Sequence, residues 1–266
     1  MSVLLHISDP HFGTEQPPVV EALAAFARQH SPDLTVLSGD ITQRALRVQF
    51  RAARAFVDRL GAPVLAIPGN HDIPLLDLGA RLLFPHRRQR EAFGDELEPV
   101  FSSPDLLVLS LNTTRRWRHK NGEVSKAQIE RVAGQLVEAR REQLRIVVVH
   151  QPAAVQRAQD VHDRLRGHEA ALRRWAEAGV DLVLGGHIHL PYVMALAGFA
   201  RPLWVVQAGT AVSSRVRAGV PNSVNLIRWG AAASAGRCRM EQWDYAASER
   251  AFVRKAVTEV KPGRGP

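Results

Sequence analysis

Residues 3–11 read Val-Leu-Leu-His-Ile-Ser-Asp-Pro-His, and the order of that stretch decides the fold. A short run dominated by aliphatic residues has the length and composition of a buried β-strand. Asp9 and His11 follow it at once, at a strand end where a rigid sheet can aim them. The arrangement recurs four times. Gly39-Asp40 follows residues 34–38, and Gly69-Asn70-His71-Asp72 follows 64–67. His150 follows 146–149, and Gly186-His187-Ile188-His189 follows 181–184. Asp-x-His and His-x-His in extended backbone turn both side chains to one side, because alternate residues share a face. A lone histidine at a strand end more often serves structure. Five such segments, each after its own apolar run, imply convergence on one point.

The candidate ligands are Asp9, His11, Asp40, Asn70, His150, His187 and His189. Carboxylate and imidazole donors together suit Mn²⁺, iron or Zn²⁺. The single cysteine, Cys238, excludes a thiolate zinc site and a disulfide framework. Gly39, Gly69, Gly185 and Gly186 stand beside the ligands, where the backbone must turn sharply or approach the metals closely.

Between the apolar runs, residues 19–28, 48–59, 126–139 and 169–178 carry apolar side chains three and four apart, which predicts helices. Ser125 and Gln128 have capping-box spacing, and Gly61 and Gly179 follow two helices where left-handed caps are common. After Gly186 the chain reads as short strands at 192–196, 203–207, 224–228 and 238–243. The class is α/β, a four-layer α-β-β-α sandwich of two stacked mixed sheets flanked by helices. Because the motifs must converge, residues 1–245 read as one domain. Residues 73–98 are a long insertion carrying Leu82-Leu83-Phe84 and an arginine cluster. They read either as a lid or binding loop over or near the site, or as a helical excursion packed on the sheet. Residues 246–266 read as a charged C-terminal tail whose last residues are disordered.

The 266 residues carry a formal net charge of +9, and the basic residues are mostly arginine. Such a balance would steer anionic substrates, although a solvated arginine-rich surface is the plainer reading of the charge as a whole. Residues 115–120, with Trp117 among them, are the best candidate for contact with substrate or an anionic surface. Strand-like sequence begins almost at Met1, with no signal-peptide pattern, and no apolar run approaches the ~18 residues of a membrane span. With one cysteine, this leads to an expected cytoplasmic location.

At these positions the chain resembles the calcineurin-like metallophosphoesterase superfamily, whose pattern is D-x-H, G-D, G-N-H-D/E, H and G-H-x-H. The resemblance covers residues 3 to about 210 and is complete at every ligand position. Within the superfamily the chain is most similar to bacterial enzymes of the cyclic-nucleotide phosphodiesterase type. The resemblance implies two divalent or mixed-valence ions (Mn²⁺, Fe²⁺/Fe³⁺ or Zn²⁺). One would be held by Asp9, His11, Asp40 and His189, the other by Asp40, Asn70, His150 and His187, with Asp40 bridging. It further implies in-line attack on phosphorus by a metal-bridging hydroxide. His71 would stabilise the transition state or protonate the leaving alkoxide. Asp72 would orient His71 or another histidine, or else cap a turn.

The implied substrate is a small anionic phosphodiester such as a 3′,5′-cyclic nucleotide. Alternatives are a phosphomonoesterase or a pyrophosphatase for a lipid-linked sugar nucleotide. In the latter case residues 73–98 and 115–120 would touch lipid. Peripheral membrane contact through basic loops and a homodimer are both left open. Nucleic acid is not expected, since only the basic charge suggests it. An inactive scaffold of the same fold could lack ligands, and here all are present. Many relatives have a second histidine where this chain has Gln151, which puts in doubt a substrate contact there. Arg44 and Asn112 are further candidate phosphate contacts. His6, His30, His86, His162 and His168 read as structural or solvated, with His119 a candidate exception.

Overall fold

The computed structural model describes residues 1–118, 120–230 and 237–263. Its strands form two six-stranded sheets. The first runs β12 (Ala251–Val260), β11 (Cys238–Ala246), β10 (Ser223–Trp229), β1 (Ser2–Ile7), β2 (Leu34–Leu37), β3 (Val64–Ala66). The second runs β4 (Val100–Ser102), β5 (Leu106–Ser110), β6 (Leu144–Val148), β7 (Leu182–Gly185), β9 (Leu203–Gln207), β8 (Tyr192–Leu196). Both are mixed. β1, β2 and β3 are parallel, as are β5, β6, β7 and β9, and the remaining strands pair antiparallel.

Strand alternation builds the layers. Leu5 and Ile7 pack with helices α1 (Pro17–His30) and α2 (Arg47–Asp58), whereas Leu4 lies between the sheets with Leu34, Val36 and Ile227. In the second sheet, Leu107, Leu109 and Val147 pack with α5 (Lys126–Val137) and α6 (His168–Ala178). Their neighbours Val108, Ile146 and Val148 face inward. Fully buried Trp175 joins α6 to α5 by donating Nε1–H to the Ile129 carbonyl at 3.2 Å. The Ser125 box forms as its spacing predicts: Gln128 N donates to Ser125 Oγ, and Ser125 N to Gln128 Oε1.

One sequence expectation needs correction. Residues 251–260 of the segment read as a tail from Ala246 form β12, paired with β11 from Ala246↔Ala251 to Cys238↔Val260. It lies at a sheet edge, where Arg254, Lys255 and Glu259 can face solvent and only Phe252 and Val260 are buried. Charged edges discourage further pairing, and in sequence that pattern reads as a solvated tail. Residues 264–266 lie outside the described residues, so the disorder expected there is not addressed. The 73–98 insertion holds two short helices, α3 (Leu78–Leu83) and α4 (Arg87–Phe93). Arg81 is buried and donates to the Pro74 and Arg118 carbonyls at 3.2 and 2.7 Å, tying α3 to the 115–118 loop. Arg88 on α4 donates to the Ala45 carbonyl.

Every candidate ligand follows the C-terminal end of a parallel strand: β1, β2 and β3 in one sheet, β6 and β7 in the other. Open α/β sheets place their sites there. Among the described residues, no helix is long and apolar enough to cross a membrane.

Candidate metal centre

The backbone at the strand ends takes an uncommon form. Asp9, His11, Asp40, His187 and His189 have φ of 51°, 42°, 48°, 75° and 55°. Non-glycine residues rarely occupy this left-handed region, and each costs on the order of 1–3 kcal/mol. Hydrogen bonds between neighbouring loops hold the conformations. Asp9 N donates to Gly39 O at 3.1 Å, His11 N to Asp40 O at 3.1 Å, and Gly186 N to His150 O at 2.8 Å. The loops also approach too closely for side chains at Gly39, where a Cβ would overlap His150 Nδ1, and at two further glycines. A Cβ on Gly69 would overlap Asp40, and one on Gly186 would overlap Ser8 Oγ and lie 2.5 Å from Asp9 Oδ2.

Three overlapping donor groups result, the middle one being His11, Asp40 and His71. Asp9, His11 and His189 each offer an atom within 4.8 Å of the others, as do Asp40, His150 and His187. His11 Nε2 lies 3.1 Å from His189 Nε2 and 3.8 Å from Asp40 Oδ2. His150 Nε2 lies 3.2 Å from Asp40 Oδ1 and 3.3 Å from Asn70 Oδ1. Asp40 thus stands between the outer two groups. The outer ring nitrogens are anchored: His150 Nδ1 pairs with Ser38 O at 2.8 Å, and His189 Nδ1 with Arg215 O at 2.6 Å. Such bonds select the tautomer that leaves Nε2 free as a ligand.

The electrostatics suit a cation. Burial holds His11 down to about 3 and His187 to about 4, so both rings are neutral lone-pair donors. Burial also opposes ionisation of Asp9 and Asp40, but His189 and His150 respectively outweigh it and hold both carboxyls well below the usual range. His150 moves the other way: burial would lower it, yet the Asp40 carboxylate lifts it to about 9. Asp9 Oδ1 and both ring nitrogens of His187 are buried without a hydrogen-bond partner among the described residues. Buried polar atoms are nearly always paired, so these orphans, clustered with carboxylate and imidazole donors, fit metal ions.

A sequence model of the calcineurin-like phosphoesterase family matches residues 2–191. The chain belongs to that family. It is 40% identical over 57 residues to a probable cyclic nucleotide phosphodiesterase from Synechococcus sp.. That match spans 21% of this chain and 22% of the relative, so about a fifth of the curated protein is covered. A dimetal phosphatase from Danio rerio has a similar structure, with TM-score 0.69 and 14% identity over 98% of this chain and 99% of that one. Purple acid phosphatase from yellow lupin (Lupinus luteus) gives TM-score 0.74 and 13% identity over 98% of this chain and 53% of the other. Vacuolar Protein Sorting 29 from Cryptosporidium parvum gives 0.54 and 13%, over 98% of each chain. At these identities the structural likeness establishes the fold alone: two mixed sheets flanked by helices.

The calcineurin-like centre opens into a cavity of about 400 Å³ lined by Asp40, Asn70, His71, Lys120, Asp160, Asp163, His187, Ile188, His189, Arg215 and Arg217. His71 reaches it, with its backbone N–H on Asp40 Oδ1 at 2.8 Å. Asp72 does not perform the histidine-orienting task expected of it. Its carboxylate accepts from Gly69 N, Ile41 N, Thr42 N and Thr42 Oγ1 at 2.8–3.0 Å. The turn-capping alternative describes it, because the peptide after Asp40 turns its amides toward Asp72. Burial and the nearby Asp40 push Asp72 up to about 7, against the pull of its amide donors.

Other expected contacts lie elsewhere. Arg44 is exposed, and Asn112 bonds Thr114 and His86; neither lines the cavity. Gln151 braces the 113–120 loop through Thr113 Oγ1 and Lys120 O. Lys120 reaches the cavity, Trp117 is exposed, and His119 lies outside the described residues. Asp160, Asp163, Arg215 and Arg217 escaped sequence reasoning, since they lie in turns without periodicity or motif.

Replacing Asp40 by Ala should weaken metal binding at both outer donor groups. The loss should exceed the ~10–100-fold seen when a ligand's hydrogen-bond partner is removed. Metal content after equilibration with Mn²⁺ checks this, and one equivalent retained at wild-type affinity would contradict the bridging position.

Proposed function

We propose that this calcineurin-like phosphoesterase is a dinuclear-metal-dependent hydrolase of small phosphodiesters, 3′,5′-cyclic nucleotides among them. The observation that carries the reading is the overlap of mostly buried donor groups around Asp40, opening into one cavity with His71. The donors suit Mn²⁺, iron or Zn²⁺. Cations held there would supply Lewis acidity and acidify bound water. Asp9, His11, Asp40 and His189 would hold one, and Asp40, Asn70, His150 and His187 the other.

The protein's own groups then act on the substrate. Gln43 O lies 3.0 Å from His71 Nδ1, which fixes that ring edge and turns Nε2 to the cavity wall, 3.3 Å from Arg215 Nη1. From there His71 would serve the leaving oxygen as a proton donor or hydrogen-bond partner. About 400 Å³ is within the usual range for a small-molecule site. The short likeness to a probable cyclic nucleotide phosphodiesterase supports the diester over the monoester.

A second reading, a hydrolase of lipid-linked phosphate anhydrides, is favoured by one surface feature. Leu76, Leu78, Leu82, Leu83, Phe84 and Trp117 are all more than half exposed. Arg116 joins the two segments, reaching Leu82 O at 2.6 Å and stacking over Trp117 at 5.8 Å. Apolar side chains beside arginines suit an anionic bilayer, where the charge is attracted and the apolar groups leave water. Two copies meeting at this face would instead oppose their arginines.

With Mn²⁺ bound, turnover of a nitrophenyl phosphodiester should exceed that of the matched monoester; the reverse preference moves the assignment to a phosphomonoesterase. His71→Ala should keep its metal and lose ~10²–10⁴-fold in rate, with a smaller loss for good leaving groups. Equal losses across leaving groups would exclude proton donation. The protein should sediment with vesicles containing phosphatidylglycerol but not with phosphatidylcholine alone, and Leu82→Asp should abolish this. A wild-type protein that ignores both vesicles, or dimerises through this face in light scattering, would remove the membrane contact.

A further inference from the structure

Three cationic side chains line the cavity, and they are not equivalent. Arg217 is neutralised by Asp160, its Nη1 and Nη2 lying 3.1 and 2.9 Å from the two carboxylate oxygens. Lys120 Nζ lies 2.6 Å from Asp163 Oδ1. Arg215 has no carboxylate at ion-pair distance among the described residues. Its Nη1 donates to Gln43 Oε1 at 2.8 Å and lies 3.3 Å from His71 Nε2. The Nε–Nη2 edge, the side-on fork of the guanidinium, bonds no described residue.

The main chain of Arg215 is fixed from both sides. Its N–H donates to Ser213 Oγ at 3.1 Å, and its carbonyl accepts from Thr210 Oγ1 at 3.1 Å and from His189 Nδ1 at 2.6 Å. One residue therefore orients a candidate metal ligand through its carbonyl and stands beside His71 through its side chain. A half-buried guanidinium without a counter-ion, held against Gln43, is prepared to receive an anion.

We propose that Arg215 is a substrate-binding residue whose Nε–Nη2 edge donates to non-bridging phosphoryl oxygens. The anion is a phosphate ester or the phosphate product, and its identity rests on the phosphoesterase reading above. Charge-assisted bidentate pairing of this kind is specific to the planar fork, which a lysine cannot reproduce. Since the contact is to the phosphoryl group and not to the leaving oxygen, its contribution does not depend on the leaving group. That separates Arg215 from His71.

The test uses the full chain loaded with Mn²⁺. Binding of inorganic phosphate is measured by calorimetry, and kcat/KM is measured on phosphate esters with good and poor leaving groups. Arg215→Gln should keep its metal content and bind phosphate about 10- to 100-fold more weakly, the range for a lost hydrogen bond to a charged group. It should lose a similar factor in kcat/KM for both leaving groups, and Arg215→Lys should recover only part. Phosphate affinity in Arg215→Gln within twofold of wild type would overturn the proposal, even if the rate fell, because Arg215 would then act only through His71 or Gln43. Should the glutamine variant lose metal, metal-replete Arg215→Lys is read instead, and wild-type phosphate affinity there overturns the fork. Phosphate binding that depends on Arg215 without turnover of any ester would sink the hydrolase reading and leave this one. Turnover with phosphate binding indifferent to Arg215 would do the reverse.

Discussion

The contact between Asp40 and His150 joins the ends of the two sheets, and the centre is arranged around it. Asp40 ends β2 in one sheet and His150 ends β6 in the other, with 3.2 Å between Oδ1 and Nε2. His150 returns its other ring nitrogen to Ser38 O, two residues before Asp40, so the sheets are pinned by a ring held at both edges. Both side chains are buried. A buried carboxylate is costly without positive charge or hydrogen-bond donors beside it, and Asp40 lifts His150 to about 9, so without metal the ring's proton supplies that charge. A cation at the same place would take over from the proton, which couples metal binding to proton release.

Around this contact, loops are held by groups that never face the cavity. Asp72 gathers the amides of Ile41, Thr42 and Gly69, and so sets the distance between the turn carrying Asp40 and the turn carrying Asn70. The amide of His71 returns to Asp40 Oδ1. An acid, a bridging candidate ligand and a histidine are therefore mechanically one unit. Residues beside one another in the motif do different work: Asn70 meets His150 at the cavity wall, His71 faces the cavity beside Arg215, and Asp72 faces backbone.

The placing of the candidate ligands at neighbouring strand ends and the layered fold were legible in sequence because they obey the strongest local rule, a buried apolar run ending in a polar residue. Each central strand needs that pattern to be covered on both faces, so neither its place nor its end is ambiguous. The cavity wall was not legible. Arg215 and Arg217 are two residues apart in the same turn, yet one is paired with Asp160 and the other is not. Asp160 belongs to a 3₁₀ turn far away in sequence. Arg44 failed for the opposite reason: nearness to Asp40 in sequence did not bring its side chain to the cavity. β12 was missed because an edge strand exposes its charges.

Fold alone does not fix function, and the architecture is shared at low identity with two phosphatases and with Vacuolar Protein Sorting 29. Energetics points instead to a bound ligand. Five non-glycine residues in left-handed backbone, at roughly 1–3 kcal/mol each, are a large expense against the ~5–15 kcal/mol by which domains are stable. Orphaned buried atoms on Asp9 and His187 add to it. Packing the two sheets requires none of this, because the apolar layer between them is complete without it. A ligand that binds only the folded chain offsets such a cost by mass action. At the strand ends these five strained residues lie beside the unpartnered atoms of Asp9 and His187, which is where a metal would fill the open lone pairs.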